Sequence, residues 1–141
     1  MFTLAFNRQR RVVLARFSGE LGRADIGTFD HAFGRFIDVE GCAHLVIDFT
    51  AVNSVAMPDQ AMVDRGKRPH RCPGYHRIVV APQPEISELY RLFSANQSMV
   101  GSTAPKMVKT VEHALVHLGV GEPDFLPIET PSPSRVIRLR K

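Results

Sequence analysis

The stretch that most constrains this chain is Leu45-Val46-Ile47-Asp48-Phe49. A run that is apolar at consecutive positions has no side left for water. As a strand it must be covered on both faces, which is how the interior strands of parallel sheets are built. The polar residues 50–54 that follow read as a loop. Pro58 then suits a first helical position, and Asp59 the first turn, where a carboxylate meets the positive end of the helix dipole. Strand, loop and helix start, in that order, mark the place where open α/β sheets tend to bind their ligands and partners.

The flanking segments are read by period. Phe2, Leu4 and Phe6 alternate along a short strand, and a polar turn leads into a second, valine-rich strand over residues 11–18. Residues 19–22, Gly-Glu-Leu-Gly, read as a turn. Ile26, Phe29, Phe33, Phe36 and Ile37 recur at three- and four-residue steps, which predicts a helix with Asp25 as its N-cap and Gly41 at its end. A short helix is expected over 58–65. Two glycines and two prolines within residues 66–74 exclude a regular element there. Residues 75–81 read as a strand, and Pro84 opens a helix with the stripe Ile86, Leu89, Tyr90 and Phe93. Residues 96–105 break the pattern, 106–109 make a short edge strand, and Thr110 caps a last helix closed by Gly119. The expected fold is therefore α/β: a mostly parallel sheet of four to five strands, an antiparallel N-terminal edge strand and about four helices, in one domain over residues 1–121.

Residues 122–141 are rich in proline and then basic, and read as a tail. Within it Ile137 and Leu139 alternate with Arg138 and Arg140, a short strand pattern. A lone strand needs a partner, so the tail is expected to dock on the N-terminal edge strand. Pairing across a homodimer is preferred here over pairing with its own domain.

Charge bears on the class of partner. The net charge is +4, but Arg135, Arg138, Arg140 and Lys141 supply all of it, and residues 1–134 balance. Arg65, Lys67, Arg68, Arg71 and Arg77 form a basic run without acids, yet no aromatic residues interleave with the arginines as in single-strand binders. No nucleic-acid partner is expected. The apolar runs are too short for a membrane span, and no secretory leader pattern opens the sequence, so the cytoplasm is the expected location. Cys42 and Cys72 are too few for a disulfide or metal framework, although Arg68 and Arg71 would favour a thiolate at Cys72.

Candidate chemistry is sparse. Asp48 stands at the carboxyl end of the central strand, beside Thr50, but no nucleophile or base is placed next to it by sequence. His113 and His117 share a helix face, with Ala114-Leu115-Val116 between them and no third ligand. Gly19 and Gly22 lack the rest of any phosphate-binding fingerprint. No catalytic residue, metal or cofactor is assigned.

The element order and the central stretch resemble the STAS domain of anti-sigma-factor antagonists over roughly residues 2–120. In that family a strand ending in aspartate, as in Leu45-Val46-Ile47-Asp48, is followed by a loop with a valine, as in Thr50-Ala51-Val52, and then by a helix start carrying Asp-Ser-Ser-Gly. The helix from Pro84 and the Thr110-Val-Glu-His-Ala-Leu helix are similar to the last two helices of the family. The resemblance implies a non-enzymatic regulatory or protein-interaction module. Its unidentified protein partner would meet Asn53, Ser54, Val55, Met57, Asp59 and Met62. The alternative is a binder of an anionic or apolar metabolite at the carboxyl ends of the strands, through Asp48 and Thr50. Ala56, Met57, Pro58 and Asp59 stand where the family has Asp-Ser-Ser-Gly, so the position of its phosphorylated serine falls on Pro58. A serine kinase of the anti-sigma type is therefore expected to leave this helix start unmodified. In-vitro phosphorylation and mass spectrometry check this, and phosphate on Ser54 would show that the motif is shifted and the switch intact.

Overall fold

The computed structural model describes residues 1–128. Its elements, in order, are β1 (Phe2–Asn7), β2 (Val12–Gly22), α1 (Arg23–Glu40), β3 (His44–Ala56), α2 (Asp59–Gly66), β4 (Arg77–Val80), α3 (Pro84–Met99), β5 (Lys106–Val108), α4 (Val111–Leu118), a 3-10 turn (Glu122–Asp124) and β6 (Leu126–Ile128). They form an α/β structure with one six-stranded mixed sheet in the order β5-β4-β3-β2-β1-β6. β2 to β5 are mutually parallel, and β1 is antiparallel to both of its neighbours.

This strand order decides where the helices lie. From β2 the chain steps one strand at a time towards β5, and right-handed crossovers in one direction place every connecting helix on the same face. Accordingly Ile26 and Phe29 of α1, Met62 of α2, and Ile86, Leu89, Tyr90 and Phe93 of α3 share one core with Phe17, Leu45, Ile47 and Phe49 of the sheet. α4, after the last parallel strand, covers the other face. There Ala114 and Leu115 pack on Val12, Leu14, Val46, Ile78 and Val80. Leu45, Ile47 and Phe49 thus point to one core and Val46 to the other, which is why the run has no polar interruption before Asp48.

Several expectations are corrected. The sheet has six strands rather than four or five. The N-terminal strand is not an edge, because Leu126–Ile128 pairs with Leu4, Ala5 and Phe6 of the same molecule. Over those residues β1 offers no free edge to a second copy. The strand pattern around Ile137 and Leu139 lies outside the described residues. Residues 19–22 are not a turn: β2 runs through to Gly22 with register shifts against β3, and Gly19 at φ 75° takes up one of them. Residues 50–54 are not a loop but the continuation of β3, paired with the end of β2. Gly22, not Asp25, is the N-cap of α1. Asp25 sits in the first turn, where its Oδ2 accepts a 2.9 Å hydrogen bond from Gly22 N–H, and that bond holds its pKa below the usual carboxylate range. Likewise Pro58 is the N-cap of α2 rather than its first residue.

The two cysteines, read as unpaired, form a disulfide between Cys42 and Cys72, with Cα atoms 5.5 Å apart. It ties the loop after α2 to the end of α1. Closing a loop with a sequence separation of 30 removes unfolded-state entropy worth roughly 3–4 kcal/mol in the chain-entropy account.

The helical layer is held by a side-chain clamp. Arg65, near the end of α2, donates Nε to Asp30 Oδ2 (3.0 Å) and Nη2 to Asp30 Oδ1 (2.8 Å) on α1, and Nη1 to the Tyr90 hydroxyl (3.2 Å) on α3. Its guanidinium also lies 5.0 Å from the Phe93 ring centroid. Burial pushes the Tyr90 pKa up, so the hydroxyl is a neutral partner at physiological pH. Gly66 allows the close approach, since a Cβ there would meet the Phe93 carbonyl oxygen at 2.7 Å. Asp30→Ala leaves Arg65 without its counter-charge. The Asp30 side chain is 29% exposed, so the expected loss is about 3 kcal/mol, the low end for breaking a buried pair. Urea unfolding should show it as a lower midpoint at unchanged m-value.

Candidate functional site

Two built surfaces lie at opposite ends of the parallel strands. At the carboxyl end β4 stops early: its pairing with β3 ends at Val80 opposite Asp48, while β3 runs on to Ala56. Gln83 covers the first part of the exposed edge, with Nε2 donating to the carbonyls of Phe49 (2.7 Å) and Val52 (2.9 Å). Its Oε1 is buried without a hydrogen-bond partner among the described residues. Beyond Gln83 the ribbon of β2 and β3 projects. Asn53, Ser54 and Asp59 are exposed, while Val55 and Met57 are half-buried against the core. Met62 is 1% exposed and packs inside, so it cannot join a surface with the others. Helical periodicity around it explains this, since Met62 faces the sheet from α2.

Asp48 is buried at 7% exposure. Its Oδ1 accepts from both Thr50 N–H (2.9 Å) and Thr50 Oγ1 (2.5 Å), and its Oδ2 lies 3.5 Å from Arg16 Nε. These partners occupy Asp48 and Thr50 with each other where the pairing of β3 with β4 ends and the register between β2 and β3 shifts. His113 and His117 are exposed on α4. The His117 ring lies 5.7 Å from that of His76, which stacks on His44 at 5.2 Å. Among the described residues no group of three or more His, Cys, Asp or Glu side chains is placed to hold a metal ion.

The second surface lies at the amino end of β3 and β4. A cavity of about 240 Å³ opens between α1, the end of α2, the loop after it and α3. Phe29, Phe33, Ile37, Leu45 and Phe93 give it apolar walls, and Arg65, Arg68, Arg71 and Arg77 rim it. The charges are unevenly answered. Arg65 pairs with Asp30, and Arg71 Nη2 with Asp38 Oδ1 at 2.8 Å. Among the described residues Arg77 meets only neutral acceptors, donating Nη2 to Gln97 Oε1 (2.8 Å) and to the Thr103 carbonyl. Burial, reinforced by the nearby Arg65 charge, pushes the Arg77 pKa down to about 10. Gln97 is itself fully buried, and its Nε2 donates to the carbonyls of Gly66 (2.7 Å) and Arg68 (2.6 Å). The basic run was legible in the sequence as charge. That it closes over an apolar cavity was not, because the opposing wall comes from α1, some forty residues earlier in the chain.

Comparison of the sequence with protein-family models gives no match, and comparison with curated proteins gives none either. What the structure defines is the class: an α/β protein with a six-stranded mixed sheet and four α-helices among the described residues. No helix among the described residues is long and apolar enough to cross a membrane.

The histidines set a pH dependence. Burial, with the Arg77 charge next, lowers the pKa of His70 from its ordinary value of 6.5, and its Nδ1 accepts from Cys72 N–H at 3.3 Å, a bond that the protonated ring cannot accept. Burial also lowers the pKa of His44. For such groups the unfolded chain binds more protons between the folded pKa and 6.5, so stability rises with pH across that window and is lost as pH falls below about 6.5. The melting temperature is expected to drop between pH 7 and pH 5, with a shallower slope in His70→Asn. A flat profile over that range would contradict the burial of these rings.

Proposed function

We propose that the protein is a non-enzymatic interaction module of STAS-like fold, which binds a protein partner across the projecting ends of β2 and β3 and the first turn of α2. The observation that carries this reading is the overhang of β3 beyond β4. It leaves a strand edge past Gln83 that no strand of the described chain pairs, directly before a helix start. Main-chain groups on such an edge can pair with an extended segment of a partner, while neighbouring side chains select it. The surface is polar, with Asn53, Ser54 and Asp59 outermost and Val55 and Met57 beneath. That composition suits a transient contact better than a permanent one, since obligate interfaces are more apolar. The stepwise order β5-β4-β3-β2-β1, with an antiparallel first strand, supports the STAS-like reading of the sequence. With Pro58 at the N-cap, partner choice in this reading rests on shape and on the fixed charge of Asp59 rather than on a phosphate at that position.

Ser54→Lys with Asp59→Lys tests the surface. Reversing the first-turn charge costs about 0.5–1.5 kcal/mol through the dipole, so the fold should survive denaturant with a small midpoint shift. Affinity capture from the native cell, quantified against wild type and a Glu112→Lys control on α4, should lose a specific protein only in the double variant. Equal capture by all three proteins would remove this end of the sheet from the site.

A further inference from the structure

We propose that the cavity at the amino end of β3 and β4 is a binding site for a small amphipathic carboxylate, apolar body inward and carboxylate at the arginine rim. Its wall chemistry divides along that line. Phe29, Phe33 and Ile37 of α1, with Leu45 and Phe93, give the apolar part of the lining; Asp30, engaged by Arg65, and His70 also line it. The rim carries four guanidinium groups, of which Arg65 and Arg71 have carboxylate partners. Arg68 and Arg77 have none among the described residues, so two positive charges stand unanswered beside an apolar cavity.

A buried or half-buried cation is costly unless a counter-charge meets it. Among the described residues Arg77 has only the Gln97 amide oxygen and the Thr103 carbonyl, neutral acceptors that bring no counter-charge. It lies 5.7 Å from the Phe93 ring centroid, on the same ring that Arg65 meets at 5.0 Å. Two like charges on one ring repel, and an anion between them and Arg68 would relieve that repulsion. A carboxylate matches the planar fork of a guanidinium with two parallel hydrogen bonds. The volume of about 240 Å³ sits just below the roughly 300–1,000 Å³ of drug-sized sites, which limits the occupant to a small molecule. The disulfide between Cys42 and Cys72 holds the loop bearing Arg68 and Arg71 against the end of α1, so the rim is fixed before a ligand arrives.

Isothermal titration of the full, oxidised chain with octanoate tests the site, with octan-1-ol as the uncharged probe and acetate as the headgroup alone. Octanoate should bind saturably, and at least tenfold more tightly than either control. Arg68→Glu reverses a charge on an exposed rim residue and should weaken octanoate at least tenfold while leaving octan-1-ol unchanged. Gly34→Leu fills the cavity from α1, where an added Cβ meets only the mobile end of Arg71 (2.9 Å), and should abolish both. Circular dichroism and melting temperature identify any variant that has lost its fold, and the other variant then decides. Failure of octanoate to bind, binding equal to octan-1-ol, or affinity unchanged in a folded variant would overturn the proposal.

Discussion

The parallel pairing of β2 with β3 runs from Val12 opposite His44 to Gly22 opposite Ala56, through two register shifts. Its first half is buried on both faces and founds both cores. Val13, Ala15, Leu45 and Ile47 go to the α1–α3 side, and Val12, Leu14 and Val46 to the α4 side. Its second half outlasts β4 and makes the projecting end. One ribbon therefore serves as hydrophobic axis and as working surface, and the change from one to the other falls at Asp48. There Thr50 and Arg16 satisfy a carboxylate that would otherwise be buried unpaired. The first register shift between β2 and β3 and the end of β4 pairing both fall at Asp48.

What could be read from the sequence follows from which faces water touches. The helices and the buried half of β3 were legible because their apolar spacing is strong. The helical stripes of α1 and α3 fall on the sheet, and Thr110 caps α4, its Oγ1 accepting from His113 N–H at 3.1 Å. The second half of β3 was not legible, because a strand with one free edge and one wet face keeps only Val52 and Val55 as inward marks. Gly19 reads locally as a turn, but glycine also marks bulges, and no local signal separates the two. β6 hid behind Pro127, which argues against a strand except at an edge, and an edge is where it lies. Of the residues read as a partner surface, Asn53, Ser54 and Asp59 are exposed, whereas Met62 packs inside. The disulfide and the cavity both depend on α1 meeting the loop after α2, a long-range contact that no local pattern encodes.

The arginines show how burial sorts residues that look alike in sequence. Arg65 and Arg77 both approach Phe93, but among the described residues only Arg65 meets a carboxylate. The difference lies in what each element faces. From α2, Arg65 reaches Asp30 on α1 and Tyr90 on α3, whereas Arg77, at the start of β4, meets Gln97 near the end of α3 and the Thr103 carbonyl in the loop before β5. Arg65 therefore acts as a structural cross-link among three helices, and Arg77 remains a cation held in place by neutral acceptors. Of the two, the second is the one with unspent attraction for an anion.

α2 is the element that reaches both surfaces, with Asp59 in its first turn and Arg65 in its last. Its eight residues span about 12 Å at the rise of an α-helix. Such a rod could carry a signal between the ends only if a ligand bound two positions of it with different affinity. Three contacts oppose such movement. Met62 is locked in the core, Gly66 sits against the Phe93 carbonyl, and Arg65 is satisfied by Asp30 and Tyr90. The charges at the cavity without a carboxylate among the described residues belong to Arg68 and Arg77, on the following loop and on β4, outside the helix. An anion held there gains its contacts without displacing α2, so the two surfaces are separate in energy although one helix touches both.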